Sequence, residues 1–259
     1  MNLLKTYRHG CILYDRNDIW VGRSLAYYGE YSEAEVRLFK ALVQPSAVVF
    51  DIGAHIGALT IPLARFVGPT GLVVAIEPER LNYYALCANV ALNNLPWVIC
   101  LQNCISDQTG VIRVADLDRS LEQNFAGLEL DQPQVTENGN LIPLFKLDDL
   151  DVASSLTLIK IDVEGMEQRV LQGAVRTIEQ YRPFLYVEND RKEKSQDLMD
   201  FIGSLGYRMW HHQPPFWNPE NFAQKKTNIF PDLVSQNLFC HPVEQTLAFD
   251  PADFQLWPV

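Results

Sequence analysis

From Ala47 onward, short apolar runs rich in β-branched residues alternate with longer stretches whose apolar positions recur at helical spacing, and few folds accept such a pattern. Val48 to Asp51, Leu72 to Glu77, Trp97 to Gln102, Leu156 to Asp162 and Phe184 to Glu188 read as strands. Ile56 to Phe66, Leu81 to Leu92, Glu167 to Tyr181 and about Lys192 to Leu205 read as helices, the last closed by Gly206. Tyr207 to Trp210 and Asn237 to Cys240 supply final strands. The alternation predicts an α/β fold with a mostly parallel sheet, right-handed crossovers and helices on both faces.

Two regions depart from the alternation. Residues 11 to 21 read as two short strands around a polar turn, and Ser32 can cap a helical segment that carries Val36, Phe39, Leu42 and Val43 until Pro45 stops it. Residues 107 to 146 read as a small hairpin or flap around Val-Ile-Arg-Val and the polar run Glu137, Asn138, Gly139, Asn140. The 259 residues, 47% of them hydrophobic, suffice for one large domain. The expected division is an N-terminal extension over 1–45, packed on a ligand-binding domain over 46–259.

A formal net charge of -11 disfavours a nucleic-acid partner, because affinity for phosphate backbones comes largely from clustered Lys and Arg. The first ten residues carry Lys5, Arg8 and His9 with no apolar run behind them, so no secretion signal is read, and no stretch approaches the length of a membrane span. The five cysteines are irregularly spaced without a CxxC pair, which points to reduced thiols and a cytoplasmic protein rather than disulfides or zinc.

The first strand ends in Asp51, and a turn follows through Gly53, Ala54 and His55 to Gly57. In an open parallel sheet, ligands bind beyond the carboxyl ends of the strands, and the first strand-loop-helix supplies the glycines. Gly53 would let the turn close, and Gly57 would let the helix start near the ligand. Glu77 ends the next strand and can accept both hydroxyls of a ribose. A dinucleotide loop reads G-x-G-x-x-G, whereas this one is G-x-x-x-G with an acid two residues ahead. That acid suits the ammonium of a methionine moiety better than a diphosphate. No Tyr-x-x-x-Lys pair of the short-chain dehydrogenase kind is present, so S-adenosylmethionine is favoured over NAD. An NAD-linked oxidoreductase and a non-catalytic cofactor-binding module are the alternatives.

From about Tyr31 to the C-terminus the chain resembles the FkbM family of S-adenosylmethionine-dependent methyltransferases. The resemblance rests on DIGAHIG at 51–57, AIEPE at 75–79, LDDL at 147–150, IKIDVEGMEQRVLQGA at 159–174 and RPFLYVEND at 182–190. It implies a class I, Rossmann-like, seven-stranded sheet with a reversed last strand, and O-methylation of a sugar or natural-product hydroxyl. Asp51, Gly53, Ala54, His55 and Gly57 would hold the methionine portion and Glu77 the ribose, while Cys104, Ile105 and Ser106 would border the adenine. His55 departs from the family, which usually has Asn there.

Methyl transfer is an in-line displacement, so the enzyme must align an acceptor and remove its proton. Asp162 ends one parallel strand, and Glu188 with Asn189 end the next, about 4.8 Å away. Their oxygens could bind Mg²⁺ or another divalent ion, resembling the metal site of catechol-type O-methyltransferases, or bind the acceptor directly. Alternatively, Asp162 pairs with Lys160 or an arginine, and Glu188 caps the following helix. Glu164 could accept a proton or serve as a first-turn acid of the helix near Gly165. His211 and His212 end a strand, and His211 is the candidate base of the two. Trp20, Tyr27, Tyr28 and Tyr31 could cover a sulfonium or pack in the core. Gln213-Pro214-Pro215-Phe216 superficially resembles an amino-methyltransferase loop but stands after the wrong strand. The acceptor expected is a small molecule. Oligomeric state is not legible.

Overall fold

A computed structural model describes residues 2–127, 139–150 and 155–259. The hairpin β1 (Asn2–Tyr7) and β2 (Gly10–Asp15) leads to helices α1 (Val21–Tyr28) and α2 (Glu33–Leu42), and β3 (Val48–Ile52) then opens the central sheet. There follow α3 (Thr60–Val67), β4 (Leu72–Ile76), α4 (Arg80–Leu92) and β5 (Val98–Leu101). A small side sheet holds β6 (Cys104–Ile105), β7 (Gly110–Val114) and β8 (Asn140–Phe145). The chain continues through β9 (Leu158–Ile161), α5 (Glu167–Gln172), α6 (Val175–Tyr181), β10 (Phe184–Glu188), α7 (Lys192–Ser204), β11 (Tyr207–His212), β12 (Asn237–Pro242) and β13 (Leu256–Pro258).

The central sheet runs β13-β11-β12-β10-β9-β3-β4-β5. Strands β5, β4, β3, β9 and β10 are parallel, and β12 runs against β10 and β11. Seven of these strands match the expected doubly wound sheet with a reversed strand. The three-residue β13 adds an eighth at the edge, antiparallel to β11. Side chains alternate between two cores: Val48, Phe50 and Ile52 of β3 join Ile159, Ile161 and Val187 on one face, whereas Val49 joins Leu158 and Tyr186 on the other. No helix among the described residues is long and apolar enough to cross a membrane.

The elements differ from the sequence reading in four places. The N-terminal hairpin pairs Asn2–Tyr7 with Gly10–Asp15, so only the first of the two strands expected over 11–21 forms; Asp18 accepts a hydrogen bond from the Trp20 amide at 3.0 Å in the turn that follows, and α1 starts at Val21 where the second strand was expected. Ser32 stands at the N-terminus of α2, but its hydroxyl donates to the Glu35 carboxylate at 2.8 Å and makes no backbone cap. The helix after β3 begins at Thr60 rather than Ile56, since His55 (φ 51°) and Gly57 (φ 85°) hold left-handed backbone. The helix expected over 167–181 breaks at Gly173, where a Cβ would lie 1.9 Å from the Ser106 carbonyl oxygen. Within the region read as a hairpin or flap, β7 and β8 pair antiparallel and β8 also pairs parallel with β6, while Glu137 and Asn138 lie outside the described residues.

The extension is attached by asparagines. Asn89 of α4 accepts from Leu13 N at 2.6 Å and donates to Leu13 O at 2.9 Å, and Asn93 makes the same pair of bonds with Cys11 at 3.0 and 2.6 Å. Two amide side chains thus stand in for a neighbouring strand along β2.

Candidate active site

Beyond the carboxyl ends of β3, β4, β9 and β10, three cavities adjoin one another. The first, about 40 Å³, is lined by Glu77, Asn103, Cys104, Ile105, Met166 and their neighbours. The second, about 50 Å³, is lined by Tyr31, Gly53, Ala54, His55, Leu59 and Lys160 among others. The third is the largest, about 340 Å³, and its walls include Trp20, Glu35, Glu164, Glu188, Phe216 and Asn237. Asp162 and Ala126 line all three. The loop carrying Ala126 is held down by Arg119, which donates to Glu79 at 2.5 Å and Asn82 at 2.7 Å, and by Ile19 N bonding Gln123 O at 3.1 Å.

Strand register explains the charge at the centre. Asp51 of β3 stands opposite Lys160 of β9, which stands opposite Tyr186 of β10. Lys160 Nζ lies 3.2 Å from Asp51 Oδ1 and 3.4 Å from Asp162 Oδ2, and it donates to Gly53 O at 3.3 Å. Burial alone would pull the ammonium's pKa down, but the carboxylates of Asp51, Asp162 and Glu35 hold it well above its usual value. Thr60 donates to the other Asp51 oxygen at 2.6 Å. Gly53 is required here: its φ is 79°, and a Cβ would sit 1.7 Å from the Asp162 carbonyl oxygen.

Glu77 is buried and lines the first two cavities, and it accepts from His55 N at 2.8 Å and Glu79 N at 3.0 Å. Burial pushes its carboxyl up to about 7 against the pull of those two amides.

Since Val187 is in register with Ile161, Glu188 falls opposite Asp162. One oxygen from each of Asp162, Glu164 and Glu188 lies within 4.8 Å of the others. Burial, then the neighbouring Asp162 charge, raises Glu164 to about 7 although Arg191 donates to it at 2.7 Å. The same two causes, with Glu164, lift Glu188 well above the carboxylate range, and Glu188 Oε2 is buried without a hydrogen-bond partner among the described residues. Glu35 is pushed up to about 7 by burial.

Several expected residues take other places. Ser106 donates to Asp107 at 2.9 Å and lies off all three cavity walls, as does Gly57; Asp51, expected against a methionine ammonium, is also off the walls and is fully buried against the Lys160 ammonium instead. Asn189 is likewise off the walls, and Glu164 stands where a third ligand was expected. Glu164 is not in the first turn of a helix: its φ is 53° and α5 starts at Glu167. Glu188 makes no cap on α7, and Asp162 does pair with Lys160. His211 sits near the sheet edge with its ring 6.3 Å from that of Trp257, away from the cavities. His212 is buried, bonded to the Tyr186 hydroxyl at 2.8 Å and lowered to about 4 by desolvation. Trp20 and Tyr31 line the large cavity, whereas the Tyr28 hydroxyl accepts from Ile229 N at 2.7 Å. Lys160 and Glu35 were missed as site residues. Lysine in the middle of the apolar run Leu158 to Ile161 was the available signal, because a charge in a strand buried on both faces needs a partner.

A doubly wound sheet with a reversed strand, a glycine turn after its first strand and an acid after its second defines the class I, S-adenosylmethionine-dependent methyltransferases. Residues 51–209, more than half the chain, match the methyltransferase FkbM domain, and the chain belongs to that family. Among solved structures, methyltransferase FkbM from Methylobacillus flagellatus KT is 20% identical with a TM-score of 0.51, covering 80% of this chain and 50% of that one. A precorrin-6y C5,15-methyltransferase from Geobacter metallireducens GS-15 is 14% identical with a TM-score of 0.50, over 80% and 87% of the two chains. A tRNA(Phe) (4-demethylwyosine(37)-C(7)) aminocarboxypropyltransferase from Methanocaldococcus jannaschii is 50% identical over 52 residues, which is 20% of either chain. The chain thus spans half the length of the first relative and a fifth of the last.

Proposed function

We propose that the protein transfers a methyl group from S-adenosylmethionine to a hydroxyl of a sugar or related small metabolite. The observation that carries this reading is Asp162, which borders all three cavities and so stands where a cofactor and an acceptor would meet. Glu77 and the Cys104 to Ile105 wall would take the adenosine, and Gly53, Ala54 and His55 the methionine end. The large cavity, with Trp20, Tyr31 and Phe216 among carboxylates and Asn237, offers apolar faces and acceptors suited to a polyhydroxylated ring. In the reaction an acceptor oxygen forms a bond to the methyl carbon as the carbon-sulfur bond breaks. The hydroxyl proton passes to a carboxylate, a role for which Glu164, in the wall of the large cavity and raised to about 7, is the candidate.

Asp162, Glu164 and Glu188 also fit a hard divalent ion, given their mutual spacing and the orphaned Glu188 oxygen. Such an ion, bound there, would lower the acceptor's pKa. Lys160 and Arg191 already stand beside two of the three acids, so the proton-transfer role does not depend on it. Carboxylates in the acceptor cavity and a net charge of -11 speak against a polyanionic acceptor. The first 45 residues act in this reading as an extension that completes the site, and the free cysteines suit a cytoplasmic setting.

The test is incubation with methyl-labelled S-adenosylmethionine, a sugar and polyol panel, and bulk tRNA, with and without Mg²⁺. Label on a hydroxyl of a small molecule supports the proposal. Binding of NAD with none of S-adenosylhomocysteine, or label on tRNA alone, would sink it.

A further inference from the structure

His55 is held in an unusual state. Its backbone is left-handed (φ 51°), its residue is 9% exposed, and neither ring nitrogen has a hydrogen-bond partner among the described residues. Buried imidazoles are normally satisfied, so two buried, orphaned ring nitrogens on a residue that lines the second cavity mark a position that a ligand completes. The acid beside the ring is Asp18, 2% exposed, whose Oδ2 lies 3.8 Å from His55 Nε2, while Glu77 holds the His55 backbone amide. Asp18 belongs to the N-terminal extension and is fixed there by the Trp20 amide at its other oxygen, with the amides of Val21 and Gly22 also bonded to it. Its segment is joined to the covering loop by the Asp18 to Gln123 bridge.

Desolvation first, then the charges of Arg119 and Lys160, lowers His55 to about 3, so the ring is neutral and has one N–H to give. An acid beside Nε2 selects the tautomer that carries its proton there, because an N–H facing a carboxylate is favoured over a lone pair facing it. Nδ1 is then an acceptor. The ligand group that suits a neutral acceptor with an acid behind it is a cation bearing N–H donors.

Resting on the S-adenosylmethionine reading above, we infer that Asp18 and His55 form a dyad that reads the α-ammonium of the cofactor's methionyl end. Asp18 is the positioning residue and His55 Nδ1 the contact. The extension therefore takes part in cofactor recognition, and the dyad discriminates ligands that possess the amino-acid end from those that lack it.

The experiment compares S-adenosylhomocysteine with 5′-methylthioadenosine, which keeps the nucleoside and thioether but has no amino acid, by calorimetric titration of the full chain. His55→Gly tolerates the left-handed backbone and removes both nitrogens, while His55→Asn keeps a side-chain acceptor. Asp18→Asn keeps an acceptor for the Trp20 amide but drops the charge. His55→Gly should weaken S-adenosylhomocysteine about ten- to hundredfold, as expected for one hydrogen bond to a charged group, and leave methylthioadenosine within about threefold. His55→Asn should recover part of the loss, and Asp18→Asn should show the same selective weakening as His55→Gly. Equal weakening of both ligands would mean that His55 only shapes the loop, and no weakening of either would mean that it touches neither; each overturns the dyad while leaving the cofactor reading intact. Failure of the unaltered chain to bind S-adenosylhomocysteine overturns both.

Discussion

Lys160→Met is the most informative single change. Lys160 is 3% exposed and faces Asp51, which is fully buried, and its removal leaves that carboxylate with the Thr60 hydroxyl as its one side-chain hydrogen-bond donor among the described residues. Breaking a buried ion pair by deleting one partner typically costs about 3 to 5 kcal/mol, since the survivor stays in a medium that solvates it poorly. Met has similar length and removes little packing, so the loss is electrostatic. For a chain of this size each kcal/mol moves Tm by roughly 2 to 4 °C, which predicts a fall of roughly 6 to 20 °C in a thermal melt. The companion change Asp51→Asn keeps an acceptor for Thr60 and discards the charge. In the double variant no buried carboxylate is stranded at β3, so the combined loss should be smaller than the sum of the single losses by about 1 to 3 kcal/mol. Urea titrations of the four proteins measure that coupling. If Lys160→Met lost under about 1 kcal/mol, or if the two changes added to within about 0.5 kcal/mol, the ion pair would not organise the site as the register implies.

Other consequences can be checked alongside. Glu35 is raised to about 7 in the folded state from an ordinary value of 4.5, so its stabilising contribution is complete below about pH 4.5 and fades as pH rises through 7. Glu35→Gln should therefore gain on the unaltered protein by about 1 to 3 kcal/mol between pH 4.5 and 7.5 in urea midpoints, and a gap that does not change with pH would contradict the assignment. Gly53→Ala, which places a methyl against the Asp162 carbonyl on left-handed backbone, should cost more than about 3 kcal/mol and abolish S-adenosylhomocysteine binding; a loss below about 1 kcal/mol would show that the turn can open. Glu164→Gln should slow methyl transfer about 10²-fold or more while S-adenosylhomocysteine affinity stays within about threefold, and unchanged turnover would remove Glu164 from the proton path.

How legible this site was depends on how far apart in the chain its parts lie. Strands β3 and β10 were readable because each is a short apolar run with an acid at or next to its carboxyl end, and in a parallel sheet such acids gather at one edge. The same logic brings Asp162 next to Glu188 from the sequence alone, since both acids end consecutive parallel strands. The logic failed where a side chain's use depends on register. Asn189 and Glu188 are consecutive, so they leave the strand on opposite sides, and only Glu188 shares the face of Lys160 and Tyr186. Glu164 compensates because the turn after β9 carries positive φ at Glu164 and Gly165, which swings a side chain back into the cleft in a way that helical periodicity cannot anticipate.

The large cavity was illegible for a different reason. Its walls join Trp20, Tyr31 and Glu35 from before the first sheet strand to Phe216 and Asn237 from near the chain's end, and no local pattern links segments some two hundred residues apart. Aromatic residues in those segments also carry no periodic signature, because their rings contact one another across elements, as Trp20 and Phe216 do with centroids 6.1 Å apart. The cofactor side is assembled from short strand-turn-helix units whose chemistry is written locally. The acceptor side is assembled by packing, so acceptor choice can change through substitutions at Trp20, Tyr31 or Phe216 without disturbing the strand-end acids that the reaction uses.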